Sequence, residues 1–171
     1  LIRRQRQMCI RDRHYPGAGA SERADFEASF PALKRCEWSI TDNRVTDDYN
    51  CIAWSVGITN EWIWWQVDRE HGDNDGILEI SDFDAFYDDY GYQLASALDD
   101  AAIMLYKSPA KATPDNPSGI THAARKRTCA DGAGKWTMYE SKCGVTERIE
   151  HVYDQLNGDA YGAPFRYYKP K

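Results

Sequence analysis

The sequence predicts an α+β domain, and three observations lead there. Helical hydrophobic spacing dominates the first half, most clearly in ISDFDAFYDDYG (80–91), where Phe83, Phe86, Tyr87 and Tyr90 recur at helical intervals. Beyond residue 91, short strand-like runs (YQLAS, AAIMLYK, ITHAARK and GKWTMYE) are separated by Pro, Gly, Asn and Asp. Strands and helices do not alternate in the βαβ manner that builds a parallel sheet. With 171 residues, the expectation is one domain over residues 21–171 preceded by a leader.

The leader, residues 1–20, opens with LIRRQRQMCIRDR, which carries five Arg in thirteen residues and neither an initiating Met nor an apolar face. QMCIRDR resembles the translated adapter sequence found at the ends of metagenomic assemblies, so the leader is expected to be non-native or disordered. The alternative is a basic arm for an anionic partner. Ser21 is placed to cap a helix over residues 22–29, which Pro31 ends. CEWSI (36–40) reads as a short strand, and TDDYN (46–50) as a turn before a short apolar helix from Cys51 to Ser55. EWIWWQVD (61–68) is densely aromatic, and REHGDNDG (69–76) reads as an exposed loop. The helix at 80–91 has Ser81 or Asp82 as its cap and Gly91 as its stop. After the strand runs, TERIEHVYDQL (146–156) places Ile149, Val152 and Leu156 on one face, which predicts a helix of about three turns opened by Thr146. APFRYYK (163–169) reads as a closing strand.

Composition excludes several classes. A net charge of −6 argues against a nucleic-acid binder, which shows a basic stripe. No apolar run reaches bilayer length, and the basic start is not followed by a secretory apolar stretch. With Cys9 set aside with the leader, Cys36, Cys51, Cys129 and Cys143 are irregularly spaced and contain no C-x-x-C pair, which disfavours a zinc ribbon and points to free thiols in a reducing, cytoplasmic compartment. Phosphate-cradle, dinucleotide and serine-hydrolase motifs are missing, so no cofactor is expected, and the chain is expected to act as a monomer. Cys51, His122 and His151 are conceivable zinc ligands, but no H-x-x-x-H or H-x-E signature supports them.

The candidate chemistry centres on Cys51. Unpaired N–H groups and the dipole at a helix start lower a thiol pKa, and Cys51 stands where such a helix begins, after Asp47, Asp48 and Asn50. The expectation is therefore a thiol titrating well below its ordinary value, open to alkylation near pH 6. The Asp pair works the other way, and a small apolar run is equally the setting of a buried structural cysteine. The candidate base is His122, which strand alternation places on one face with Ile120 and Ala124, opposite Ala123 and Arg125. A lone strand His is also a common core residue. His151, beside Glu150, reads as the polar edge of a helix. Trp62, Trp64 and Trp65 read as core, as a sugar platform, or as the wall of a substrate groove near the Cys51 helix.

YNCIAW (49–54), THAAR (121–125), SKCG (141–144), IEH (149–151) and the late Tyr161-Gly162 pair resemble, in that order, an uncharacterised and mostly bacterial family carrying Y-N-C-x-A-W, T-H-A-A-R, W-[ST]-S-K-x-G and I-E-H. The resemblance spans about residues 30 to 168, and supplies a pattern without a reaction. Three departures stand out. MYE separates Trp136-Thr137 from Ser141-Lys142, the Trp-rich segment lacks a closing Pro, and GYQLASA lacks a Cys. More distantly, a Cys at a helix start followed by a His on a sheet strand resembles the papain-like peptidases and amidases. That resemblance implies a Cys-bearing helix packed on a C-terminal antiparallel sheet, with Cys51 as nucleophile, His122 as base, the Cys51 backbone N–H as an oxyanion donor, and Ser141 or Glu140 orienting the imidazole. Asn50, Trp54, Trp64 and Trp65 would then contact a peptide or amide substrate. The expected function is a thiol hydrolase (peptidase, amidase or deamidase). The alternative is a non-catalytic binding domain that keeps Cys51 and His122 as core residues.

Overall fold

The computed structural model describes residues 19–35, 38–131 and 134–171. The expected leader lies outside them except for its last two residues, and so do Cys36 and Glu37 of the expected first strand. Helix α1 spans Ala20–Ser29 with Gly19 at its cap, so Ser21 sits inside the helix it was expected to cap. Pro31 ends it, as expected, by opening a 3-10 turn, Pro31–Arg35. Strand β1 (Ser39–Asp42) follows, then helix α2 (Cys51–Ser55) and a π turn over Val67–His71.

Helix α3 (Ile80–Asp89) buries Phe83, Phe86 and Tyr87 completely, each contributing about 2–3 kcal/mol of hydrophobic transfer. Its cap is Glu79. Asp82, one of the two expected caps, instead takes the third helical position and accepts the Glu79 N–H at 2.7 Å. Gly91 stops the helix in the left-handed conformation, φ +83°, which glycine adopts without a Cβ clash.

The remaining strands are β2 (Tyr92–Leu94), β3 (Ile103–Lys107), β4 (Ile120–Asp131), β5 (Gly134–Lys142), β6 (Arg148–His151) and β7 (Ala163–Pro170). They form one antiparallel seven-stranded sheet in the order β1-β6-β5-β4-β3-β7-β2. The fold is α+β. The tail strand β7 does not close an edge but inserts between β3 and β2, and Pro164 sits beside an irregularity in its register with β3.

One expected element is overturned. Residues 146–156 are not a helix: 148–151 form β6, paired on both sides by β1 and β5, and 153–157 are turns that lead to an isolated bridge between Gly158 and Gly162. Ile149, Glu150 and His151 are all fully buried, so the strand shows no polar/apolar alternation. The helical spacing of Ile149, Val152 and Leu156 is the coincidence of a two-sided strand running into a buried turn. Thr146 does not open a helix. It closes a tight turn by donating from Oγ1 to the Cys143 carbonyl at 2.6 Å.

The sheet separates two cores. Helices α2 and α3 cover one face with Ile103, Leu105, Ala123 and Tyr168, while α1 and the 3-10 turn cover the other with Met104, Tyr106, Ala124, Tyr139 and Ile149. His122 faces the α1 side, against Tyr106, as alternation with Ala123 requires. Ile120 departs from that alternation and joins the α2 core. The register slips between Tyr106, opposite His122, and Lys107, opposite Ile120, which leaves Thr121 as an extra residue in β4. Among the described residues, no helix is long and apolar enough to cross a membrane.

Candidate functional site

Asn50 builds the start of α2. Its Oδ1 accepts the Ala53 N–H at 3.1 Å, a side-chain cap, while its Nδ2 donates to the Ile63 carbonyl at 2.7 Å. One buried side chain thus fixes both the helix start and the aromatic segment that follows. Cys51, the first helical residue, is 6% exposed. The N–H groups of Ala123, Ile52 and Cys51 itself bear on its sulfur and favour the thiolate, but burial outweighs them and pushes the thiol up to about 11. The expected low titration is therefore reversed. Five residues of helix give a weak dipole, and the packed α2–sheet interface removes the water that would solvate an anion.

His122 is fully buried, stacked on Tyr161 with ring centroids 4.0 Å apart and planes 5° from parallel, and edge-on to Tyr106 at 5.2 Å. Neither imidazole nitrogen has a hydrogen-bond partner among the described residues. Burial drives its pKa well below the ordinary value, with His151 adding to the effect. At neutral pH the thiol and the imidazole are both uncharged.

Cys51 and His122 line one cleft of about 290 Å³. Asn50, Trp62, Trp64 and Thr121 line it as well, with Gly144 and Tyr161 completing the wall. Thr121, the extra residue of β4, donates from Oγ1 to the Tyr161 carbonyl at 2.6 Å and so ties the Tyr161 segment beside His122. Gly162 is needed for the same approach: an added Cβ would lie 2.0 Å from the Lys107 carbonyl oxygen, at φ +73°.

Lys142 holds the opposite wall. Its fully buried ammonium donates to the carbonyls of Thr46, Gly144 and Thr146 at 3.0, 2.7 and 2.5 Å, fixing the turn that presents Gly144 to the cleft. Burial lowers its pKa, with Asp42 and Glu147 among the groups opposing that shift.

The other expected site residues are elsewhere. Ser141 sits 2.8 Å from Nε2 of His151, whose Nδ1 donates to the Val152 carbonyl at 2.7 Å, so that pair is closed on itself. Glu140 accepts from Thr41 Oγ1 and, at 3.2 Å, from Arg127. Neither residue orients His122, whose position comes from aromatic packing. MYE does not break the register: β5 runs unbroken to Lys142 and pairs Glu140 with Glu150 and Ser141 with Ile149. Trp54 packs under Arg148, with the guanidinium 4.0 Å from its ring centre, and Trp65 is exposed; neither lines the cleft. Trp62 lines the cleft as one of its sequence readings had it, whereas Thr121, Gly144 and Tyr161 were not legible as site residues one by one, although all three lie in segments that the motif resemblance marked.

Cys51 and Cys143 are free thiols. Both nitrogens of His151 are engaged, so it cannot join Cys51 and His122 as a metal ligand. Among the described residues, the one acidic group with oxygens close enough to share a cation is Asp68 of the π turn with Asp73 and Asp75 of the loop that follows. Asp68 accepts the N–H groups of Asp75 and Gly76, a role that organises the loop.

A family model described as Domain of unknown function (DUF7689) matches residues 40–169, most of the chain. The chain belongs to the DUF7689 family. No curated protein and no solved structure gives a significant match. The span assigned to the DUF7689 domain contains every strand from β2 to β6, helix α2, and all the residues that line the cleft. Helix α1, which covers the second core, lies outside it.

Proposed function

We propose that this DUF7689 domain is a thiol hydrolase of papain-like type, acting on an amide or related acyl bond of a peptide or amide substrate. The observation that carries the reading is a thiol at a helix start sharing a cleft with a buried imidazole that has no hydrogen-bond partner among the described residues. A buried polar group left unpaired costs stability, and next to a cavity it is suited to bond what enters.

The neutral resting states set the mechanism. With the thiol near 11 and the imidazole low, no thiolate–imidazolium pair waits in the free protein. Cys51 Sγ attacks the substrate carbonyl as its proton passes to His122. The carbonyl oxygen becomes an oxyanion near the N–H groups at the start of α2, which have no intrahelical acceptor. The C–N bond breaks as His122 returns the proton to the leaving amine. Water, deprotonated by His122, then cleaves the thioester, and the proton returns to the thiol.

A second reading, a non-catalytic binding domain, is favoured by those same neutral states and by the aromatic lining from Trp62, Trp64 and Tyr161. Acylation separates the two. Intact-protein mass spectrometry after brief exposure to p-nitrophenyl acetate should show one acetyl group, mapped to Cys51 and missing in Cys51→Ala. An unmodified Cys51 in the native protein would establish the binding reading.

A further inference from the structure

A second cavity, of about 470 Å³, shares Tyr161 with the Cys51 cleft. The turn pinned by Lys142 serves both: Gly144 lines the cleft, and Cys143, Thr146 and Glu147 line the second cavity. Its buried surface is apolar, from Phe26, Phe30 and Cys143. Its charged lining is unbalanced, with Glu22, Asp25 and Glu147 against Lys111 alone. Glu22 lines this cavity while one of its carboxylate oxygens is buried against Gly19 at the start of α1.

That combination selects an occupant by charge and shape. A hydrocarbon stem matches the Phe26 and Phe30 surface, and a cationic head supplies the donors that three carboxylates lack. An acidic side chain would meet like charge. A purely apolar one would leave the acidic lining without a counter-charge. We propose that this cavity is the subsite for a Lys or Arg side chain of a peptide whose amide lies at Cys51. The proposal rests on the thiol-hydrolase reading and deepens it, with Tyr161 as the wall between the reacting bond and the recognised side chain.

The test uses three chloroacetamides whose short alkyl tails end in an amine, a methyl group or a carboxylate. At low salt the amine-tailed reagent should label Cys51 about threefold or more faster than the methyl-tailed one, the scale of a partly screened ion pair, and the carboxylate-tailed one slowest. The Glu22→Gln/Glu147→Gln double variant should lose that order while keeping the methyl-tailed rate, which also shows that it is folded. Equal rates for the three reagents, or an order that survives in the double variant, overturns the subsite. If none labels native Cys51, the thiol reading has failed, and NMR with Nα-acetyl-lysine methylamide decides the cavity separately. Shifts of the Phe26, Phe30 and Tyr161 ring signals in the wild type but not in the double variant support a cation site. Unmoved signals overturn it.

Discussion

His122 and His151 sit on β4 and β6 of the same sheet, both fully buried, and burial lowers the pKa of both. What their nitrogens meet differs completely. His151 is closed at both ends, by Ser141 and by the Val152 carbonyl, whereas His122 packs on the Tyr161 and Tyr106 rings beside a cleft, with no hydrogen-bond partner for either nitrogen among the described residues. A satisfied buried imidazole behaves as structure, fixing β6 to β5 and to the turn that follows. An unsatisfied one contributes little but packing. The comparison teaches that burial alone does not sort core from site; the hydrogen-bond account does.

The widest gap between the two should appear on truncation. His151→Ala strips the partner from the buried Ser141 hydroxyl, leaves the Val152 carbonyl with the Gln155 N–H alone, and opens a void, so it should cost about 3 kcal/mol, read as a lower urea midpoint at unchanged m. A loss under about 0.5 kcal/mol would break the structural assignment of His151.

Acid should act through the same residues. His151 takes up its proton near 6.5 when unfolded and only near 4 when folded, because burial opposes the charge. The unfolded state therefore binds the extra proton first. Stability is full above about pH 6.5 and falls through the window down to about 4, by about 3 kcal/mol from this group, with His122 adding in the same direction. Urea midpoints that stay flat between pH 7 and pH 4.5 would contradict it.

Lys142→Met should cost about 2 kcal/mol, less than His151→Ala because Thr46 and Gly144 are half-exposed and Thr146 is exposed, so water can reach part of what the ammonium leaves. It should also loosen the turn beside the cleft and slow Cys51 acylation. Thermal melts and acylation rates measured together check both halves. The smallest effect is expected on the cleft side: Trp62 is 39% exposed, and Trp62→Phe should shift stability by less than about 0.5 kcal/mol. The same change should remove a red-shifted, iodide-quenchable part of the emission, leaving buried Trp38 in the blue-shifted remainder.

Much of this was legible in the sequence, for identifiable reasons. Helix α3 shows itself because it buries one face and exposes the other. β4 alternates visibly because Ala123 and Ala124 enter different cores, and Asn50 before Cys51 has the form of a cap. β6 is hidden because both of its faces are buried, so a two-residue period leaves no trace. Ser141 and Glu140 were misplaced as orienting groups because their partners come from β6 and β1, pairings that no local pattern announces. Tyr161 was missed for the same reason: it reaches His122 only because the Thr121 bulge and Gly162 bring its loop against β4. The titration of Cys51 went the other way because a helix start is visible in sequence and the depth at which it is buried is not.

The central claim is that Cys51 and His122 form one reactive pair, and a single variant tests it. His122→Phe keeps the ring that stacks on Tyr161 and removes two unpaired polar atoms. The account predicts a melting temperature equal to or above that of the wild type, together with a fall of about 100-fold in the rate at which p-nitrophenyl acetate acylates Cys51. An unchanged acylation rate in the folded variant would contradict the pairing.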